Sequence, residues 1–187
     1  MRLKTPRIPP LVDSEMSTDA AAIMAPLAAR GADFNIFRTM AHKPAAMKKF
    51  LEWGNYILSK ANSLDARTRE LAILRTGFNC KSGYEWAQHV VIGKRCGLTD
   101  TEIARIKSGP DAPGWSAADA AVLRACDDLS GNHFISDASW TALSEHFATD
   151  QCMDLVYTVG QYTQVSMILN SFGIQLDAGL AGDPDLA

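Results

Sequence analysis

Residues 69–89 read RELAILRTGFNCKSGYEWAQH, from Arg69 to His89, and this stretch decides how the chain folds. In its first half Leu71, Leu74 and Phe78 recur at helical spacing, with Glu70, Ile73, Gly77 and Cys80 in a row beside them. Glu70 therefore borders an apolar face. In its second half Glu85 and His89 begin a row continued by Ile92 and Cys96, next to Trp86, Val90 and Gly93. Four residues apart, Glu85 and His89 share one helical face. If the turn over 79–83 folds the two helices antiparallel, both carboxylates and the imidazole converge.

Such a cluster suits proton transfer. A partly buried carboxylate holds its proton more tightly than in water, and an imidazole titrates near neutrality. The N–H groups that open the second helix offer a place for a substrate carboxylate. Each residue also has a plainer reading. Glu85 completes a capping box with Ser82, Glu70 pairs with Arg67, Arg69 or Lys81, and His89 is a satisfied core histidine.

Outward from this hairpin almost everything reads as helix. Ser17 or Thr18 caps a helix over 18–30 that Gly31 ends. After a short segment over 34–41, Pro44 opens a helix to about 61 that buries Met47, Phe50, Leu51, Trp53 or Gly54, and Ile57. Ser63 is expected to cap the helix over 64–79. Thr99 and Glu102 have capping-box spacing, Ser116 opens a helix to about 129, and Ser136 or Asp137 opens another to about 147. The last helix spans 150–171, ending at Gly173, and carries Tyr157, Gln161, Tyr162, Gln164 and Asn170 among apolar residues; subunit joining is the preferred reading of that polar set. The sum is an all-α bundle of about eight helices, with an extended arm over 1–16 able to reach a neighbouring subunit, one domain over 17–180 and a frayed tail over 181–187.

Composition narrows the function. The 187 residues carry 18 basic and 21 acidic side chains and 47% hydrophobic residues, which fits one globular domain and no phosphate-binding surface. No apolar run approaches the roughly 20 residues of a membrane span. The N-terminus has no apolar signal region, so a cytoplasmic protein is expected. Cys80, Cys96, Cys126 and Cys152 stand singly and read as reduced, buried thiols, and no metal site is expected.

Arg69-Glu70-Leu71-Ala72-Ile73-Leu74-Arg75, Tyr84-Glu85-Trp86-Ala87-Gln88-His89-Val90, Gly97-Leu98-Thr99 and Glu102-Ile103 resemble the carboxymuconolactone decarboxylase-like, or alkylhydroperoxidase D-like, family. The likeness extends to residues 37–44 upstream, and downstream to Trp115, Asp127-Asp128-Leu129, Ile135-Ser136-Asp137 and Val159-Gly160-Gln161-Tyr162, covering about 34–180. It implies an AhpD-like helical fold assembled as a dimer, trimer or hexamer. The family's peroxidase branch places two cysteines twelve and fifteen residues after its glutamate, and a histidine four beyond the second. Those places here hold Ser82, Glu85 and His89. Peroxide reduction needs an attacking thiolate and a resolving thiol, so both are missing, and Cys80 has no partner in the motif.

The decarboxylase branch, which needs no paired cysteines, is the closer likeness. It implies lyase chemistry on a small lactone or carboxylate without metal or organic cofactor, in aromatic degradation. By this resemblance His89 is the acid/base. Glu70 orients it or shuttles its proton, and Glu85 and Tyr84 bind or polarise the substrate. Ser82, Trp86 and His42 are further expected substrate contacts. A peroxidase using Cys80, and a non-catalytic helical oligomer binding a ligand or partner, are the alternatives. No nucleic-acid or membrane partner is expected.

Overall fold

The computed structural model describes residues 2–186; Met1 and Ala187, the ends of the expected arm and tail, lie outside the described residues. Nine α-helices and no strand occur among the described residues: α1 Thr18–Ala29, α2 Asn35–Met40, α3 Pro44–Leu58, α4 Ala66–Asn79, α5 Gly83–Arg95, α6 Asp100–Ile106, α7 Ala117–Asn132, α8 Asp137–Ser144 and α9 Thr149–Phe172. The helix beyond the expected eight is α2, the short segment before Pro44.

The caps explain most boundaries. Ser17, Thr99, Ser116 and Ser136 each accept from the backbone N–H three residues on, and Glu102 returns a bond to the Thr99 N–H. One expected cap is elsewhere. Asp65, not Ser63, caps α4, because the Ser63 N–H and hydroxyl both donate to Asp154 on α9.

Helix α4 is the axis of the bundle. All ten residues from Thr68 to Gly77 are buried, and α5, α7 and α9 pack around them. Leu71, Ala72 and Leu74 join α6, α7, α8 and α9 in the main core, whereas Ile73 faces a second core with Ile36, Ile57, Tyr84 and Tyr162. Each fully buried leucine contributes roughly 1.5–3 kcal/mol.

Both chain ends pack on this bundle. The arm lies on its own chain: the Arg7 and Ile8 N–H groups donate to the Phe172 carbonyl, and Leu11 N–H donates to Arg38. The tail is not frayed. Leu186 is 4% exposed in the main core, and Lys107 pairs with Asp183 and Asp185. Burial of one leucine and two ion pairs to a lysine 76 residues away outweigh the local polarity that suggested fraying. No described helix is long and apolar enough to cross a membrane.

Candidate active site

The α4–α5 hairpin closes through Lys81, a non-glycine residue at φ 53°, with Ser82 N–H reaching back to the Gly77 carbonyl. Two glycines then let the helices approach. A Cβ on Gly77 would stand 3.3 Å from Glu85 Cγ, and one on Gly93 would stand 3.1 Å from Leu98 and 3.8 Å from Glu70 Cβ. This close approach brings the expected groups together. His89 Nδ1 lies 2.7 Å from Glu70 Oε2, and its Nε2 lies 2.9 Å from Glu85 Oε1.

All three are buried, with side chains 8%, 1% and 4% exposed for His89, Glu70 and Glu85. Burial alone would lower the imidazole's affinity for protons. The charges of Glu70 and Glu85, with the Glu70 hydrogen bond, outweigh burial and raise His89 to about 10. His89 is therefore an imidazolium at neutral pH, and Nδ1–H donates to Glu70. The Nε2 contact is an ion pair only, since Glu85 Oε1 has no aligned hydrogen-bond donor. Two of the plainer readings fall: Arg67 serves Glu102 and Asp119 rather than Glu70, and no capping box forms at Ser82.

The cluster closes one end of a cavity of about 240 Å³. Glu85, His89, Tyr84, Gln88 and Ile92 of α5 line it, facing Gln161, Tyr162 and Val165 of α9. Phe34, Ile36 and Phe37 at α2, and Phe50, Leu51, Gly54, Asn55 and Leu58 of α3, form the other walls, with Arg30 and Ala32 from the α1–α2 connection. Glu70 stands behind His89, outside the lining. Of the α9 residues expected to join subunits, Gln161 and Tyr162 line the cavity instead, and Asn170 donates to the Cys80 carbonyl. The Tyr162 ring meets His89 edge-on at 4.9 Å. Burial, then the charges of Glu85 and Glu70, push its hydroxyl well above the ordinary tyrosine value.

The other expected substrate contacts divide. Tyr84 lines the cavity, but its hydroxyl donates to Asp177, and burial followed by that carboxylate raises its pKa. Tyr84 thus offers its ring rather than a polarising hydroxyl. Ser82 is outside the lining and fully buried, its hydroxyl without a partner. Its ψ of 91°, against 154–161° at the four Ser and Thr caps, turns that hydroxyl away from the helix end. Trp86 lies two residues from Tyr84, hence on the far face of α5, and packs in the main core against Phe78 at 5.7 Å. His42 is exposed, its Nε2 3.0 Å from the Pro9 carbonyl, where it holds the arm.

All four cysteines are free thiols; Cys126 and Cys152 are buried, while Cys80 and Cys96 are only partly so. Burial pushes the Cys80 thiol up, away from a reactive thiolate, against weaker opposition from Ser166 and Thr163. Among the described residues no group of three or more His, Cys, Asp or Glu side chains is arranged to hold a metal ion.

Residues 44–128 match the Carboxymuconolactone decarboxylase family. The fold matches the alkylhydroperoxidase AhpD core of an uncharacterized peroxidase-related protein from Ralstonia eutropha JMP134, with TM-score 0.79 at 19% identity, covering 92% of this chain and 93% of that one. The debrominase Bmp8 in complex with 2,3,4-tribromopyrrole matches with TM-score 0.77 at 13% identity, covering 94% of each chain. An uncharacterized peroxidase-related protein from Silicibacter sp. TM1040 gives 0.74 at 15%, covering 95% of this chain and 92% of that one. At these identities the likeness concerns the fold. No curated protein sequence matches. The matched segment, residues 44–128, holds the α4–α5 hairpin with Glu70, Glu85 and His89, and around it the chain keeps an AhpD-like helical fold; over that segment the chain is similar to the carboxymuconolactone decarboxylase family.

Proposed function

We propose that this chain is a cofactor-free acid/base enzyme of lyase type, acting on a small lactone or carboxylate, with decarboxylation as its reaction. One observation carries this reading: an imidazolium held between two buried carboxylates at the end of an apolar cavity. Loss of carbon dioxide leaves an electron pair on the substrate, delocalised as an enolate. The Nε2–H of His89, with no aligned acceptor in the chain, supplies the proton that quenches it. Neutral His89 then regains a proton from solvent. Glu70 holds Nδ1, fixing the ring and keeping its charge, as a carboxylate behind a working imidazole does. Glu85 faces the cavity beside Nε2 and stabilises the imidazolium until substrate arrives.

A thiol peroxidase is the weaker reading, because Cys80 has no resolving thiol in the motif and burial keeps it protonated. A homo-oligomer remains part of the proposal. Trp53 and Tyr157, 41% and 39% exposed, touch edge to face at 5.7 Å across α3 and α9, a surface suited to cover by another subunit. Sedimentation giving only a monomer at micromolar concentration would remove that part.

The test uses carboxymuconolactone, following carbon dioxide release. His89→Gln should lower the rate on the order of 10²–10⁴-fold while the far-ultraviolet spectrum stays helical. Cys80→Ser should leave the rate intact, and no peroxide should be consumed with a dithiol donor. Equal rates for wild type and His89→Gln would end the acid/base reading.

A further inference from the structure

The cavity has two chemically different ends. The inner end holds two carboxylates against one imidazolium, an excess of one negative charge among groups at most 8% exposed. A substrate carboxylate placed there meets repulsion in a poorly screened site. The outer end holds Arg30, the only lysine or arginine in the lining, on the exposed end of α1.

Of the ten arginines, Arg30 and Arg95 have no ion pair or carbonyl acceptor among the described residues, and of these two Arg30 alone lines the cavity. Arg38, Arg67, Arg75 and Arg124 are ion-paired, and Arg2, Arg7, Arg69 and Arg105 donate to carbonyls. The Arg30 guanidinium has no such partner among the described residues, although Asp33 is three residues away. Asp33 is taken by Arg38 at 2.6 Å. The backbone keeps Arg30 at the mouth: Ala32 N–H returns to the Leu27 carbonyl and Gly31 takes φ 74°, turning the chain so that Phe34 enters the wall.

We infer that Arg30 is the anion-binding residue of this cavity, and that its ligands are ring-sized organic acids bound with one acid group at the mouth and the rest of the body directed toward His89, so that in the proposed reaction the carboxyl group that is lost is a second one on that body. This rests on the acid/base reading for what happens at the inner end, but not for the binding itself. A free guanidinium presents a planar fork that a carboxylate meets with two parallel hydrogen bonds. Phe34, Phe37 and Phe50 take the ring, and the volume of about 240 Å³ limits its size.

Benzoate and benzamide have the same ring and shape but differ in charge. Their affinities for the full chain can be compared by NMR titration, following signals of cavity residues. Benzoate should bind on the order of 10-fold more tightly than benzamide. Arg30→Gln should equalise the two, and Arg30→Lys should restore part of the preference. Arg30 is exposed, so both variants should keep the helical spectrum of the parent. His89→Gln should retain the preference for benzoate, which separates this inference from the decarboxylase reading. Loss of the preference in His89→Gln but not in Arg30→Gln would put the acid at the inner end and overturn it. Equal binding of the two probes, or no shift at cavity residues with either, would overturn it as well.

Discussion

Two triads hang on α4, and each sets one cation between two carboxylates. Arg67 sits between Glu102 and Asp119, tying α4 to α6 and α7. His89 sits between Glu70 and Glu85, tying α4 to α5. The count is the same and the chemistry is opposite. Arg67 bonds both Asp119 oxygens, at 2.8 and 3.1 Å, and Glu102 also accepts from Thr99, so the polar atoms are matched and partly wet. Its guanidinium never loses its proton under ordinary conditions. The His89 triad is drier, its cation titrates, and one carboxylate oxygen has no hydrogen bond. A polar cluster that serves structure satisfies its groups; one that serves chemistry leaves a proton and a lone pair free to act.

The comparison breaks most readily by deleting each cation. His89→Leu strands two carboxylates in the interior, and even if one captures a proton the loss should be about 3–5 kcal/mol. Arg67→Met leaves two carboxylates that water reaches, so about 1 kcal/mol is expected. Urea unfolding of both variants checks this. Equal losses would mean that burial does not separate the triads.

The pH windows should also be opposite. Burial lowers the imidazole, but Glu70 and Glu85 raise it from 6.5 to about 10 in the folded chain. Its contribution is fully present below about 6.5 and fades as pH rises toward 10. Glu102 is lowered from 4.5 to about 2, first by the Thr99 N–H and then, against burial, by the Thr99 hydroxyl and Arg67. Its contribution is present above about 4.5 and fades as pH falls toward 2. The stability gap between wild type and His89→Leu should therefore narrow on the alkaline side, and that between wild type and Glu102→Gln on the acid side. A gap for His89→Leu that widens with pH would contradict the imidazolium.

The sequence carried the first-order terms of this arrangement. Capping residues placed most helix starts, and a spacing of four put Glu85 and His89 on one face. Local pattern could not say that Ser82 takes a ψ unsuited to capping, so Glu85 looked like a cap before it proved a partner of His89. Trp86 was misplaced by proximity in sequence, since two residues along a helix turn a side chain to the far side. Arg30 carried no local signal, because it shares the cavity with α5 only through the tertiary fold. The tail was illegible for the same reason: Lys107, which holds it, is far away in sequence.

The smallest expected effect on stability sharpens the comparison most. Gly77 lies in the interior of α4, where alanine would favour the helix by about 1 kcal/mol. Its added Cβ would stand 3.3 Å from Glu85 Cγ, so that atom must give by a few tenths of an ångström, while Glu85 Cβ at 3.5 Å is in ordinary contact. The gain and the crowding oppose each other, so Gly77→Ala should change stability by less than about 1 kcal/mol. The movement falls on Glu85 alone among the three charged groups, because Gly93, not Gly77, faces Glu70. Drawing Glu85 away from Nε2 weakens one of the two charges that hold the proton. His89 should then titrate at lower pH than in wild type, while the Arg67 triad, at the other end of α4 from Gly77, stays as it was. Imidazole carbon shifts followed by NMR against pH would show it. An unchanged His89 titration in a folded Gly77→Ala would mean that the close approach at Gly77 does not set the Glu85–His89 contact, and the triad would have to be held by α5 alone.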